Sequence, residues 1–366
     1  MKKIIIVAGE PSGDLYGSLL AEKLKTKFPS LDIFSFGGPK LAKHSKQLIN
    51  LLNYSVSGII EVLSHLRRIL KVFKGVLQYI HDIKPDLIIL IDFPDFNLRL
   101  AKTLNKKFPI FYYVSPQVWA WRKKRISLIK QLVEKIIVIF KFEEKFYQNE
   151  GINALYFGHP LLDVIKKQGI NTKKIISLLP GSRKNEIQKH LLLMQQTKTI
   201  LQKELPGYSF RILKPQNIEK TFYEEFPLDT DIEITDYSYQ AIEESKFIIA
   251  SSGTATVEIA ILEIPYIIIY KVNPISWYIL KRLVKTDYIG MVNILQSRKV
   301  VTELLQTQAT PDNIAKASLR YLKNPQEYSQ LKSALGKTKE ILSPYGATEK
   351  FTDFIAQYLE LKNSQK

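Results

Sequence analysis

The sequence predicts an α/β protein built from two Rossmann-like, doubly wound domains that face each other across a cleft. Three observations point that way. The chain has 366 residues, too many for one ordinary core and comfortable for two domains of average size. Hydrophobic residues make up 45% and charged residues 24%, so a large core can form, and function should be sought in a site rather than in a tail. Short β-branched runs alternate with longer amphipathic segments, the pattern of βα units on a parallel sheet, and this series occurs twice.

In the first series Lys3–Ala8, Asp32–Gly37, Leu87–Ile91, Ile110–Val114 and Lys135–Ile139 read as strands, and Asp14–Phe28 as a helix. The second begins near residue 173. Its strands are Ile175–Leu179, Ser209–Leu213, Asp231–Thr235, Phe247–Ala250 and Tyr266–Tyr270, with helices over Glu186–Glu204 and Thr254–Leu262. The domains are therefore expected at residues 1–165 and 170–344, with the linker within Gly158–Asn171. The C-terminal segment, about residues 345–366 and most regular over Thr348–Leu361, reads as an amphipathic helix packing back on the first domain.

Composition excludes several chemistries. There is no cysteine, so disulfides, Cys-based zinc sites and a thiol nucleophile are ruled out. The formal charge of +18, from 53 Lys plus Arg against 35 Asp plus Glu, attracts phosphorylated ligands, nucleic acid or an anionic membrane, although a general lysine bias produces the same number. The opening MKKIIIVAGEPSGD mimics a signal peptide, but its apolar run ends at Ala8 and polar residues follow at once, so it reads as a buried first strand. No apolar run approaches the roughly 18 residues that a transmembrane helix needs. Any membrane contact is expected to be peripheral.

Several motifs follow strands, where a doubly wound sheet places its ligands. Gly9-Glu10-Pro11-Ser12-Gly13-Asp14 is either a ligand-approach loop or a tight turn with Asp14 near the helix start; it lacks the spacing of a dinucleotide fingerprint. Ile91-Asp92-Phe93-Pro94-Asp95-Phe96-Asn97 offers a carboxylate that serves as general base if burial raises its pKa, or a helix cap. Val114-Ser115-Pro116-Gln117-Val118-Trp119-Ala120-Trp121-Arg122 could line a sugar or acyl site, or contribute core aromatics. Leu178-Leu179-Pro180-Gly181-Ser182-Arg183 suits a diphosphate, with turn N–H donors and a bidentate cation, or is a solvated loop. Ala250-Ser251-Ser252-Gly253-Thr254 opens a helix with no bulky side chain in an anion's way, and Glu258 one turn later can accept from ribose hydroxyls; the plain alternative is a capped helix with an acidic first turn. Ser57–Leu77 places Arg67, Arg68, Lys71 and Lys74 among regularly spaced apolar residues, either a helix lying on an anionic bilayer or an ordinary domain helix. His159 lies in a loop and is either a site residue or a hinge histidine, and no His, Asp or Glu spacing argues for a metal.

In order along the chain, VAGEPSGD, GIIEVL, IDFPDFN, YYVSPQVWAWR, GHPLLD, LLPGSR, SSGTATVE and LKRLVKTDYIGMVNIL resemble the lipid-A-disaccharide synthase family from about residue 4 to residue 305. The resemblance implies a GT-B fold and an inverting glycosyltransferase of lipid A biosynthesis in a Gram-negative cell. It implies condensation of UDP-2,3-diacylglucosamine with 2,3-diacylglucosamine 1-phosphate (lipid X) to a β-1,6-linked disaccharide 1-phosphate and UDP. It further implies a cytoplasmic protein held peripherally at the anionic inner membrane, with no cofactor and no metal, and it leaves a homodimer open. Residue by residue, it makes Asp92 the candidate general base, with Glu10 in the glycine loop near the cleft. Arg183, Ser252, Gly253, Thr254 and Glu258 become donor-binding residues in the C-terminal domain, with Asn293 a weaker transfer, and Arg67, Arg68, Trp119 and Arg122 lie on the acceptor or membrane side of the N-terminal domain. The rival on the same architecture is a UDP-N-acetylglucosamine 2-epimerase, which fold alone does not separate. A nucleic-acid-binding protein is disfavoured, because no recognition signature accompanies the charge.

Overall fold

Five- and six-residue runs of Ile, Leu and Val, bounded by turn residues, suit strands buried on both faces, and such strands belong to parallel sheets covered by helices. The computed structural model describes residues 2–54, 66–120, 124–273, 277 and 286–363. The chain divides into two units, Met1–Asp163 with Pro344–Lys366, and Val164–Ser343.

The first unit holds β1 (Lys3–Ala8), β2 (Asp32–Gly37), β3 (Lys46–Asn50), β4 (Leu87–Ile91), β5 (Ile110–Tyr113), β6 (Lys135–Val138) and β7 (Ala154–Tyr156). They lie in the order β3-β2-β1-β4-β5-β6-β7, all parallel. Its helices are α1 (Pro11–Lys27), α2 (Pro39–Ala42), α3 (Leu66–Ile83), α4 (Pro94–Leu104), α5 (Arg125–Leu132), α6 (Lys141–Asn149) and α7 (Leu161–Val164), the last crossing into the second unit. Ile4–Ala8 and Leu87–Ile91 are wholly inaccessible to solvent, which makes β1 and β4 the spine of the core.

The second unit repeats the plan. It has β8 (Ile175–Leu179), β9 (Ser209–Lys214), β10 (Ile232–Asp236), β11 (Phe247–Ser251), β12 (Tyr266–Tyr270) and β13 (Glu303–Leu305), in the order β10-β9-β8-β11-β12-β13. These strands too are parallel. Its helices are α8 (Lys184–Glu204), α9 (Thr221–Glu224), α10 (Tyr239–Glu244), α11 (Ala255–Ile261), α12 (Met291–Leu295), α13 (Pro311–Leu322) and α14 (Pro325–Leu342). The final helix, α15 (Ala347–Asn363), belongs to the first unit. It buries Phe351 and Ile355, sets Phe351 4.9 Å from the Tyr113 ring, and is capped by Asp163, whose carboxylate accepts from the N–H groups of Gly346 (2.7 Å) and Thr348 (2.8 Å). The return of the chain needs a glycine at 158: its φ is +113°, and a Cβ there would lie 1.9 Å from the Pro344 carbonyl oxygen.

The strands missing from the sequence expectation are β3, β7 and β13, and all three are sheet edges. Edge strands are short and half solvated, so KQLIN, ALY and ELL carry little of the apolar signature of inner strands. Helix α1 starts earlier than expected, at Pro11, where a fixed φ and a missing N–H cost nothing. Asp14 is therefore not at its cap. The carboxylate instead accepts from the N–H groups of Gly38 (2.7 Å), Lys40 (3.0 Å) and Leu41 (3.1 Å), capping α2. In each sheet the chain winds one way from its first strand and the other way from its fourth, so the direction reverses between β1 and β4 and between β8 and β11. No crossover covers the strand ends there, and crevices open at such points.

Candidate functional site

At the reversal of the first sheet, Ala8 and Ile91 are register partners, so the loops after β1 and β4 emerge side by side. Glu10 is the extended residue before α1 and is half-buried. Asp92 follows β4 directly. Both Asp92 and Phe93 have left-handed backbones, with φ of 46° and 49°. Two consecutive non-glycine residues in that region cost roughly 1–3 kcal/mol each and persist only where the surroundings enforce them. The enforcement is visible. The Asp92 carbonyl accepts from the Tyr112 hydroxyl (2.7 Å) and the Asn97 amide (2.8 Å), while the Asp92 N–H donates to Tyr113 O (3.1 Å). The Phe93 ring fills the space beside Gly9, where a Cβ would come within 2.2 Å of it. The N-cap position of α4 is Phe93, not Asp92 or Asp95. Asp95 is exposed and pairs with Arg125.

The loop after β5 is pinned by α6. Its first residue, Val114, is also left-handed (φ 58°), which is uncommon for a β-branched residue. Trp119 is half-buried and donates its indole N–H to Glu143 Oε1 (2.9 Å), Ser115 Oγ lies 3.4 Å from the same oxygen, and the Phe140 N–H reaches Oε2 at 3.3 Å. The Tyr147 hydroxyl donates to Pro116 O at 2.9 Å. Glu143 is buried with no cation among these partners, and burial pushes its carboxyl up to about 7 against the pull of the Trp119, Phe140 and Ser115 donors. Sequence reading passed over it because FKFEEKFY looks like an ordinary acidic first turn. His159 is equally buried, held neutral by that burial, and accepts the Leu161 N–H on Nδ1 (3.2 Å). It is thus a structural cap of α7 rather than an exposed site group.

At the reversal of the second sheet, Leu179 and Ala250 are register partners. The loop after β8 turns at Gly181 (φ 141°) and presents Arg183 at the start of α8, 40% exposed. Glu186 braces this loop, its carboxylate accepting from Ser182 N–H (3.0 Å) and lying 3.6 Å from the Arg183 guanidinium. The loop after β11 carries Ser252, Gly253 and Thr254. Gly253 and Thr254 are exposed, and a Cβ on Gly253 would meet nothing within 4 Å. Glu258 lies one turn into α11, nearly buried, and its carboxylate accepts from the hydroxyls of Tyr237 and Tyr239 (3.3 Å to the second). Tyr237 follows β10 directly and Tyr239 opens α10, a link that no local pattern announces.

Asn293 is placed differently from the sequence expectation. It is fully buried, its Nδ2 donates to Val301 O (2.9 Å) and Glu303 Oε1 (2.7 Å), and its Oδ1 accepts from Val300 N–H (2.7 Å) and Val301 N–H (2.9 Å). An amide so occupied, on a fully buried residue, staples α12 to β13. On α3, Phe73, Val76 and Ile80 are buried in the core, so over this stretch the apolar stripe faces inward as in a normal domain helix. Arg67, Arg68, Lys71 and Lys74 are exposed, with the Arg68 guanidinium 4.7 Å from the Tyr54 ring centre. Residues 57–65 of that expected helix, and Trp121 and Arg122, lie outside the described residues. Among the described residues no three His, Asp or Glu side chains gather where they could hold a metal, and no helix is long and apolar enough to cross a membrane.

The family model of lipid-A-disaccharide synthetase matches residues 4–350. The chain is 36% identical to a lipid-A-disaccharide synthase of Geobacter sulfurreducens, over 98% of this chain and 97% of that one. It is 35% identical to lipid-A-disaccharide synthase 1 of Legionella pneumophila strain Lens, over 99% of both. Among solved structures, the fold is similar to MnaA of S. aureus determined with UDP (TM-score 0.70, 14% identity, 99% of this chain and 98% of that one). It is also similar to MurG of Acinetobacter baumannii (TM-score 0.56, 14% identity, 98% of this chain and 100% of that one).

The Glu143 cluster generates a pH prediction. Its native pKa of about 7 lies above the ordinary carboxyl value of 4.5, so the folded chain retains a proton that the unfolded chain releases. This contribution to stability is full at acidic pH, declines as pH rises towards about 7, and is gone above it, a change on the order of 3 kcal/mol. Glu143→Gln should remove that part of the pH slope in urea unfolding. Parallel slopes for wild type and variant would refute the assignment.

Proposed function

The chain belongs to the lipid-A-disaccharide synthase family and is a glycosyltransferase of lipid A disaccharide synthesis, and we propose from that membership the substrates and the residues that act on them. The donor is UDP-2,3-diacylglucosamine and the acceptor 2,3-diacylglucosamine 1-phosphate. The product is the β-1,6-linked disaccharide 1-phosphate, formed with inversion, and UDP leaves. The observation that carries the proposal is the placement of the matched motifs at the reversals of the two sheets: Glu10 and Asp92 at one, Arg183 and Ser252–Thr254 at the other.

The chemistry follows from the charges. The acceptor hydroxyl must lose its proton as its oxygen bonds to the anomeric carbon, and Asp92 takes that proton as general base. The strained turn aims the carboxylate, since Tyr112 and Asn97 hold its backbone. As the glycosidic bond to UDP breaks, positive charge grows on the sugar ring and negative charge on the diphosphate. Arg183 and the backbone N–H groups of the loop at Ser252–Thr254 take up the latter, and Glu258 accepts from the ribose hydroxyls. UDP in the S. aureus neighbour of the same fold supports a nucleotide diphosphate here. Trp119 and Arg122 serve the acceptor. The exposed Arg67, Arg68 and Lys71 draw the first unit to the anionic cytoplasmic face of the inner membrane, where both lipid substrates reside. No metal or other cofactor takes part in this scheme.

Incubating the protein with both acylated sugars should yield the disaccharide 1-phosphate by mass spectrometry; an isomerised UDP-sugar formed without acceptor would instead mark an epimerase. Asp92→Asn should lower turnover by roughly 100-fold or more with UDP affinity intact, and unchanged turnover would remove Asp92 as base. Arg183→Ala should weaken UDP binding roughly tenfold or more by calorimetry, and equal affinity would reject its diphosphate role. Charge reversal at Arg67, Arg68 and Lys71 should reduce binding to anionic vesicles, and full retention would reject a membrane role for this face.

A further inference from the structure

His190 lies within α8, two turns past Arg183, and is 1% exposed. Its Nδ1 is 2.7 Å from the Pro180 carbonyl oxygen, and the Lys271 backbone N–H donates to its Nε2 at 3.0 Å. A backbone N–H can only donate, so Nε2 must be bare. A carbonyl can only accept, so Nδ1 must carry hydrogen. The two partners together therefore admit a single form of the ring, the neutral Nδ1–H tautomer.

The partners' positions give this form a purpose. Pro180 follows β8 and opens the loop that presents Arg183, while Lys271 follows β12. In the sheet, β8 and β12 flank β11, whose end carries Ser252–Thr254. One imidazole thus ties together the strand ends on both sides of that loop. We infer that His190 is a positioning residue, whose neutral ring holds the Pro180–Arg183 loop and the end of β12 in the arrangement that receives a diphosphate. The inference rests on the proposed nucleotide site and adds to it a residue that touches no ligand.

Protonation would set a second ring N–H against the Lys271 N–H and break the tie. The charged and titratable groups around the ring are Glu186 and Lys189 on α8, Arg183 before it, and Tyr270 and Lys271 on and after β12, with the Tyr270 ring centre 6.4 Å away. Burial outweighs the pull of the Pro180 carbonyl and Glu186 and holds the imidazole below the usual histidine range. The tie is therefore intact at neutral pH and is lost as pH falls through that lowered value.

Glutamine offers an amide N–H and a carbonyl oxygen in place of the two ring nitrogens and does not titrate. UDP binding measured by calorimetry between about pH 8 and about pH 5, on wild type, His190→Gln and His190→Leu, tests the inference. At neutral pH the Gln variant should bind within a few-fold of wild type, while the Leu variant should bind roughly tenfold more weakly. In acid, wild type should lose more affinity than the Gln variant, which reports only the titration of UDP itself. A Leu variant as tight as wild type, or a Gln variant with the wild-type acid loss, would overturn the inference while leaving the nucleotide site standing. A wild-type chain that does not bind UDP would bring down the site and the inference together.

Discussion

Two adjacent parallel strands whose connections leave in opposite directions leave their carboxyl ends uncovered, and the assignments of Glu10, Asp92, Arg183 and Ser252–Thr254 depend on that constraint. A right-handed crossover buries the end of each strand it leaves under its own helix, except where the winding turns about. The turnabout falls between β1 and β4 in the first unit and between β8 and β11 in the second. The glycine-rich and carboxylate-bearing motifs occupy these four strand ends, where Glu10, Asp92 and Arg183 are partly exposed above strands with mostly buried side chains.

Such strand ends are rigid, and the chain uses that rigidity to hold conformations it would otherwise avoid. Asp92, Phe93 and Val114 all take left-handed backbones immediately after buried strands. At Asp92 and Phe93 the cost is met by neighbours set in regular structure, Tyr112 within β5 and Asn97 within α4, and by a glycine that leaves the Phe93 ring room. A flexible loop would relax such a turn. Here the sheet holds it, so the Asp92 carboxylate is presented from a fixed base.

Polar side chains, with Asp14, Glu143, His190 and Asn293 among them buried, do the remaining positioning. Asp14 gathers three N–H groups of the α2 turn, Glu143 pins the loop after β5, Glu186 braces the arginine loop, and His190 joins two strand ends. Asn293 does the same for the segment before β13. A buried polar group without a partner costs about 1–3 kcal/mol, so each of these side chains admits few alternative loop conformations.

The inner strands β1, β4, β8 and β12 were legible residue by residue, and β11 to within one residue, because burial on both faces demands branched apolar runs. Two successive series, and the loops that follow their strands, could be read for the same reason. The candidate residues Asp92, Arg183 and Glu258 were found as members of motifs next to those strands. Tertiary structure alone decided which polar residues face inward. His159 and Asn293 were offered as site groups and are buried within hydrogen bonds to their own surroundings, whereas Tyr112, Glu143, Tyr237 and His190 looked ordinary and hold the candidate residues or the loops that carry them. The physical reason is range. Strand formation follows from a run's own hydrophobicity, but the partner of a buried carboxylate or imidazole can lie tens of residues away, as Lys271 does from His190, and only folding brings it within hydrogen-bonding distance.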